Sequence, residues 1–396
     1  MIFSEHLPVI TGIGVTTPIG VTKVAFVNNL EKGESGLSYI DRFDIRPLPV
    51  KKAFLIREKT AYDDPANDRH IIYALHAAQE AIADSGLSAS ALHNTDVAVC
   101  VASSKGGVAG FSDLYENPGA ENPTAFLQLF PHAPATALMK EFSLRGPSTS
   151  VVTACATGIH NIIRAAQLIY HGNASIALAG ASDASITPLM LSGYHKMGVY
   201  SHDDMRPFGK HRSGFLIGEG AGILMLESEA NARARQARIY ARIRGYVTVQ
   251  DTGSIVHCDP DAHVLSHAIQ SLLDAAGLLP HHIDYVCLHG TSTGAGDAYE
   301  AQECSRAFGS SVSTIICNAP KSMLGHLLGA SGAVETIVAA LSMYNSTVYP
   351  TINIRSQDPA CMLHLNRNRL TQKTIRYALK ISMGFGGHIA VLLLEK

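Results

Sequence analysis

Of the seven cysteines, at positions 100, 155, 258, 287, 304, 317 and 361, one stands where a thiol could act as a nucleophile. In SVVTACATGIHNIIRAAQLIYHG, Val151 and Val152 close a strand and Thr153 to Gly158 form a turn of small residues. The helix that follows carries Ile159, Ile162, Ile163, Ala166 and Ile169 on one buried face. Cys155 therefore lies at a helix start, where free N–H groups and the macrodipole favour a thiolate. The competing reading is a packed, inert core cysteine. A nucleophilic thiol needs a proton-handling partner that is near only in space. Two histidines fit: His289, which ends the apolar run Tyr285 to Leu288, and His326, set between Gly325 and Gly329 and preceded by Lys321. Taken alone, each also reads as a hydrogen-bonded structural histidine.

Other chemistries fit less well. No H-E-x-x-H, C-x-x-C or other short-spaced ligand pair occurs, so no metal site is expected. Gly218 to Gly222 and Gly384 to Gly387 lead into strands, the wrong order for capturing a phosphate at a helix start. Backbone N–H groups of the second cluster, around Phe385, could instead line an oxyanion hole.

These residues need a scaffold, and the composition allows a large one. The 396 residues are 46% hydrophobic and 16% charged, which excludes disorder as the main state. A formal net charge of −2 offers no basic stripe for nucleic acid or anionic lipid. The first residues, with an acidic Glu5 and no long apolar stretch, do not read as a secretory signal. The longest apolar run, Ile389 to Leu394, is too short for a membrane span, and unpatterned cysteines fit a reducing cytoplasm.

Strands are predicted at Pro8 to Val15, Asp96 to Ala102, Ile176 to Gly180, Gly222 to Leu226, Ile239 to Val249, Tyr285 to Leu288, Ile315 to Cys317 and Ile389 to Leu394. Between them, helices are predicted at Asp68 to Asp84, Ala262 to Ala276, Ala295 to Ala307 and Leu324 to about Tyr344. This alternation gives an α/β fold with a layered sheet. A charged patch at Asn231 to Arg238 marks a boundary between halves, 1–236 and 237–396. ACATGIHNIIRAAQLIYHGNAS echoes GHLLGASGAVETIVAALSMYNST, by duplication or because both are ordinary Ala-rich helices.

Six motifs in order complete the picture: VITGIGVTTPIG, RGPSTSVVTACATG, RPFGKHRSGFLIGEGAGILMLE, HGTSTGAGDAYEAQE, KSMLGHLLGASGAVE and GFGGHIAVLLLE. Together they resemble the β-ketoacyl-acyl-carrier-protein synthases, the ketosynthases of the thiolase-like fold, over nearly the whole chain and closest to the elongating type II group. The resemblance implies two pseudo-symmetric βαβαβαββ halves forming a layered αβαβα core, the first bearing the cysteine and the second the His/Lys/His set. It implies decarboxylative Claisen condensation of an acyl group on Cys155 with malonyl-carrier protein, in fatty-acid or polyketide/polyene elongation. On this view His289 and His326 promote loss of CO2 as neutral imidazoles near their ordinary pKa of about 6.5, and Lys321 orients His326. Phe385 supplies an oxyanion N–H and gates the acyl pocket, Thr291 and Thr293 touch the phosphopantetheine arm, and Asp297 and Glu300 support from behind. No cofactor is implied beyond the phosphopantetheine carried by the acyl carrier protein, which is the implied partner. A homodimer is implied, or a heterodimer with a related subunit.

The chain departs from the family's R-P-F-D-x-x-R-D stretch, in the loop shaping the approach of the carrier protein: Gly209 and Ser213 stand at the two aspartate positions, with His211 between them. Lys105 stands where an apolar residue usually faces the acyl pocket, so its ammonium must find a carboxylate, reach solvent or serve an unusual substrate. Ile389 replaces an asparagine and Gly294 a proline. Two other readings within the fold are a non-catalytic partner resembling chain-length factors, which lack the nucleophile, and a non-decarboxylating acyltransferase.

Overall fold

Short apolar runs bounded by glycine or charge become strands, and the expected alternation holds. The computed structural model describes residues 1–3, 6–93, 95–116 and 125–396, and Glu5 lies outside them. The first half contributes β1 (Pro8–Thr16), β2 (Ala98–Ala102), β3 (Ser148–Thr149), β4 (Ile176–Asp183) and β5 (Gly220–Ser228). From the second come β6 (Ala241–Gln250), β7 (Tyr285–Cys287), β8 (Ile316–Asn318), β9 (His364–Leu365), β10 (Tyr377–Gly384) and β11 (His388–Glu395). All join one sheet in the order β9-β8-β7-β10-β11-β6-β1-β5-β4-β2-β3.

The seam is the short antiparallel pairing of β1 with β6, Val9 opposite Arg242 and Ile10 opposite Ala241. Outward from it, one side reads β1-β5-β4-β2-β3 and the other β6-β11-β10-β7-β8. With the short edge strand β9 set aside, each is first, fifth, fourth, second, third strand of its half, antiparallel for the first two pairings and parallel for the next two. Shared order and shared sense decide for duplication over two unrelated Ala-rich helices.

Helices complete the layers. Helix α1 (Arg69–Ser85) begins at Asp68, whose carboxylate accepts the His70 N–H, and stops at Gly86 in the left-handed conformation. It packs on β1 and β5. Helices α2 (Thr157–Tyr170) and α5 (Ser331–Asn345) follow the third strand of each half and pack against each other in the middle layer. Helices α3 (Val264–Ala276) and α4 (Gly294–Phe308) cover the far face of the second half. Every residue of α5 from Ser331 to Met343 is buried, as a helix enclosed on all sides requires. At the α2–α5 crossing Gly158 and Gly332 let the backbones meet: a Cβ on the first would stand 2.6 Å from the Ala333 nitrogen, and on the second 2.8 Å from that of Ile159. Any larger residue would force the helices apart.

Three sequence expectations are corrected. The single helix expected from Leu324 is a short helix at Lys321–Leu324, a break at Gly325 and His326, a 3₁₀ turn at Leu328–Ala330, and then α5. Gly325 has φ +76°, a conformation that ends the helix. Strand β10 was not anticipated, because Lys380 interrupts its apolar run. The charged patch at Asn231 to Arg238 is in part a helix, Glu229–Ala234, and β6 begins at Ala241 rather than Ile239. Among the described residues no helix is long and apolar enough to cross a membrane.

Candidate active site

The Cys155 turn is built by side chains of α2 that reach back. Asn161 accepts the Val151 N–H at 3.0 Å and donates to the Val151 carbonyl at 2.9 Å. The Thr157 hydroxyl accepts the Thr153 N–H at 3.0 Å and donates to the Ala154 carbonyl at 2.7 Å. These bonds wind residues 154–156 into a 3₁₀ turn with Ala154 at φ +47°. Neither Thr157 nor Asn161 was singled out in the sequence, although both stand in the quoted motif.

Cys155 is 4% exposed. Burial pushes its thiol above the ordinary cysteine range, while the charges of Lys105 and Lys321 and the Phe385 backbone N–H pull it back. Burial wins, so the group rests as a thiol, and the thiolate expected from the helix start alone is corrected. The Phe385 amide nevertheless stands at the sulfur, where an oxyanion donor is needed.

His289 leaves β7 on a loop fastened by two carboxylates of α4. Glu300 accepts the N–H groups of His289 at 2.6 Å and Gly290 at 2.8 Å. Asp297 accepts those of Ser292 at 3.0 Å and Phe208 at 2.6 Å. Burial raises both acids, Asp297 to about 7. Thr293 caps α4 by accepting the Gly296 N–H at 3.2 Å, and the hydroxyls of Thr291 and Thr293 are 3.0 Å apart. Gly294, at the first position of α4, is a site that admits proline and faces open space.

His326 is held by its Nδ1, 3.0 Å from the Ser331 hydroxyl, and by its N–H to the Leu216 carbonyl at 2.9 Å. Its ring meets those of Phe215 and His289 edge-on, at centroid distances of 5.0 and 5.7 Å. Lys321 Nζ donates to the His289 carbonyl and to Glu335 Oε1, both at 2.6 Å, and lies 3.3 Å from His289 Nδ1. The lysine thus orients His289. The expectation that it orients His326 is corrected, because Ser331 holds the Nδ1 of that ring, although the Lys321 charge still acts on His326. With the ammonium donating to Nδ1, His289 keeps its proton on Nε2.

Both imidazoles are driven well below the ordinary histidine range, first by burial and then by Lys321; His289 also feels His326 and Lys380, and His326 feels Lys105 and Lys380. They are neutral as expected, but far from 6.5, since neither solvent nor a carboxylate stabilises the imidazolium.

Cys155, His289, His326, Thr291, Thr293 and Phe385 line one cavity of about 370 Å³. The Phe385 ring stacks on Tyr194 at 6.3 Å. A broader cleft of about 1040 Å³ shares Ser213 with this cavity and is lined by Gly209, Lys210, His211 and Arg355. Lys105 is half-buried with its Nζ 3.4 Å from the Ser104 hydroxyl, and among the described residues no carboxylate lies within 4 Å of it. Ile389 is buried among apolar neighbours of β11 and β6. Sequence reasoning passed over Glu335, Ser331 and the buried Asp183, which accepts the N–H groups of Ser104 at 3.2 Å and Gly329 at 2.7 Å. A lone acid in the apolar run of α5 was the one visible signal for Glu335.

Two family models match this chain in succession, the Beta-ketoacyl synthase N-terminal domain over residues 8–232 and the C-terminal domain over residues 240–355. The chain belongs to the β-ketoacyl synthase family. Within it, the 3-oxoacyl-[acyl-carrier-protein] synthase 2 of Staphylococcus aureus (strain COL) is 36% identical, the match covering 98% of each chain. Among solved structures the ishigamide ketosynthase/chain length factor superposes with a TM-score of 0.93 at 31% identity, covering 99% of this chain and 100% of the other. A type II PKS ketosynthase bound to the hexaketide, in complex with its acyl-carrier protein, gives 0.90 at 30% identity and covers 99% of both. The fold of this β-ketoacyl synthase is accordingly the thiolase-like one.

Proposed function

We propose that this β-ketoacyl synthase joins an acyl group to a malonyl unit by decarboxylative Claisen condensation, with both delivered as thioesters of an acyl carrier protein. The observation that carries this reading is one cavity lined by a nucleophilic cysteine and two neutral imidazoles. Cys155 attacks the acyl thioester and passes its proton to an imidazole. The N–H groups of Cys155 and Phe385 receive the oxyanion, an arrangement in which each donor contributes roughly 10²–10³ in rate. The phosphopantetheine thiolate of the carrier leaves and takes the proton back from the imidazolium, so both rings are neutral again; in the second half-reaction the Cys155 thiolate is the leaving group. When malonyl-carrier binds, loss of CO2 leaves negative charge on the thioester oxygen, which the Nε2–H of His289 and the ring of His326 stabilise as it develops. The resulting enolate attacks the acyl-Cys155 carbonyl and gives β-ketoacyl-carrier.

The hydroxyls of Thr291 and Thr293 serve the phosphopantetheine arm, the only prosthetic group the reaction requires. Lys210 and Arg355 in the adjoining cleft offer cations to an acidic carrier protein. The reading takes 1–236 as the half that supplies the nucleophile and 237–396 as the half that supplies the His/Lys/His set. It assigns the protein to the cytoplasm as a homodimer, or as a heterodimer with a ketosynthase-like subunit. The ammonium of Lys105, which has no carboxylate within 4 Å among the described residues, favours specialised acyl groups over the saturated chains of housekeeping elongation. A reading as a non-catalytic partner is opposed by Cys155 itself.

Reconstitution with acyl-carrier and malonyl-carrier, followed by mass spectrometry, tests the proposal. The expected products are CO2, acylated Cys155 and β-ketoacyl-carrier; acyl transfer without CO2 would leave only a non-decarboxylating acyltransferase. Saturated, unsaturated and aryl acyl groups run side by side separate fatty-acid elongation from a specialised pathway.

A further inference from the structure

A second lysine lies fully buried beside the site, and no role in the chemistry above accounts for it. Lys380 sits between Leu379 and Ile381 in β10. Its Nζ is 2.7 Å from Glu335 Oε2 and donates to the carbonyls of Leu288, at 3.3 Å, and Ile381. Glu335 Oε2 sits within ion-pair distance but off the line of a hydrogen bond, so it accepts none. The other oxygen of the same carboxylate takes Lys321 at 2.6 Å. One buried anion thus serves two buried ammoniums.

The groups facing this centre come from every element around it: Cys287 from β7, Glu300 from α4, Glu335 from α5, Lys321, and beyond it His289, His326 and Cys155. Two cations, Lys321 and Lys380, balance two carboxylates, Glu300 and Glu335. A buried charge without compensation is strongly unfavourable, so this balance is a constraint on the site. Burial opposes the ammonium form of both lysines; Glu335 overcomes it for Lys380, whose pKa is raised, and not for Lys321, whose pKa is lowered.

We propose that Lys380 is a positioning residue for the reaction: it retains one oxygen of Glu335, so that Lys321 meets a single carboxylate oxygen and turns its other N–H groups to His289. Without Lys380, Glu335 can take Lys321 with both oxygens, and His289 loses the donor that keeps its proton on Nε2. The enclosed charge then falls by one unit, which stabilises the imidazolium of both histidines and withdraws the neutral donors that decarboxylation needs.

This inference rests on the condensing reading, and the rate of CO2 release from malonyl-carrier against pH tests both separately. A wild type that releases no CO2 overturns that reading, whatever the variants do. With an active wild type, Lys380→Met is expected to lower kcat about tenfold, leave KM little changed and move the acid limb up by about one pH unit. A folded variant whose acid limb stays in place overturns the proposal, since a structural role alone moves no limb. Should Lys380→Met fail to fold, Lys380→Met/Glu335→Gln removes one charge of each sign and is compared with Glu335→Gln. The double variant is expected to regain the wild-type limb; a limb matching that of Glu335→Gln alone overturns the proposal.

Discussion

The two halves of the molecule perform one structural manoeuvre and draw different chemistry from it. After the third strand of each, the chain makes a 3₁₀ turn, Ala154–Ala156 in one and Leu328–Ala330 in the other, and enters a central helix at Thr157 or Ser331. Even the unusual backbone is repeated, with Ala154 at φ +47° and Leu328 at φ +50°. In the first half the middle residue of the turn is Cys155; in the second it is Gly329. There the preceding stretch, residues 319–330, is longer than residues 150–156, and it carries Lys321 and His326. Duplication supplied two elbows. One holds the nucleophile, and the other was stretched to hold the groups that manage its protons and charge.

The sharpest way to break this division of labour is Cys155→Ala. It is expected to reduce acylation of the enzyme by at least about a thousandfold, read as the missing acyl adduct in mass spectrometry, while CO2 release from malonyl-carrier persists. Full condensation by that variant would mean that the first elbow is not the nucleophilic one. The converse is His326→Ala, expected to cut CO2 release by roughly 10²-fold with acylation of Cys155 little affected, in single-turnover assays.

Gly329→Ala probes why only one elbow bears a side chain. A Cβ there would stand 2.6 Å from both Asp183 Oδ2 and Ser104 Cβ, and the Gly329 N–H is bonded to that same carboxylate. Chemical denaturation is expected to show a loss of about 1–3 kcal/mol. No loss would mean that the second elbow has room for a side chain after all.

The smallest effect is a pH shift. Because both imidazoles have depressed pKa values, CO2 release is expected to continue undiminished as pH falls through 6.5. The same depression makes unfolded chains bind protons first, so the stability these histidines contribute is present above about 6.5 and is lost as pH falls toward their folded values. A pH–rate profile with its acid limb at 6.5 would place the rings in solvent-like surroundings.

Much of this was legible in the residues themselves. Asp68 and Gly86 mark α1 because an acceptor and a left-handed glycine are needed at those ends, and the cysteine elbow is visible in its run of small residues. The second elbow showed only in the echo between the two segments, since the helix expected from Leu324 runs through it and backbone geometry shows Gly325 breaking that helix. Glu335 and Lys380 each look like a misplaced charge in an apolar segment. Their meaning is pairwise, and α5 and β10 meet only in three dimensions. The family resemblance pairs Lys321 with His326, whereas the sheet brings its ammonium to His289.

Residues 377–395 form the hairpin of β10 and β11, with Phe385 in its turn, and they leave the ribosome after every other part of the site. Until that hairpin closes against β6 and β7, the sulfur faces no amide and the buried carboxylate has a single counter-ion. Closing that one hairpin thus brings the Phe385 amide to the sulfur and the second ammonium to Glu335 in a single step.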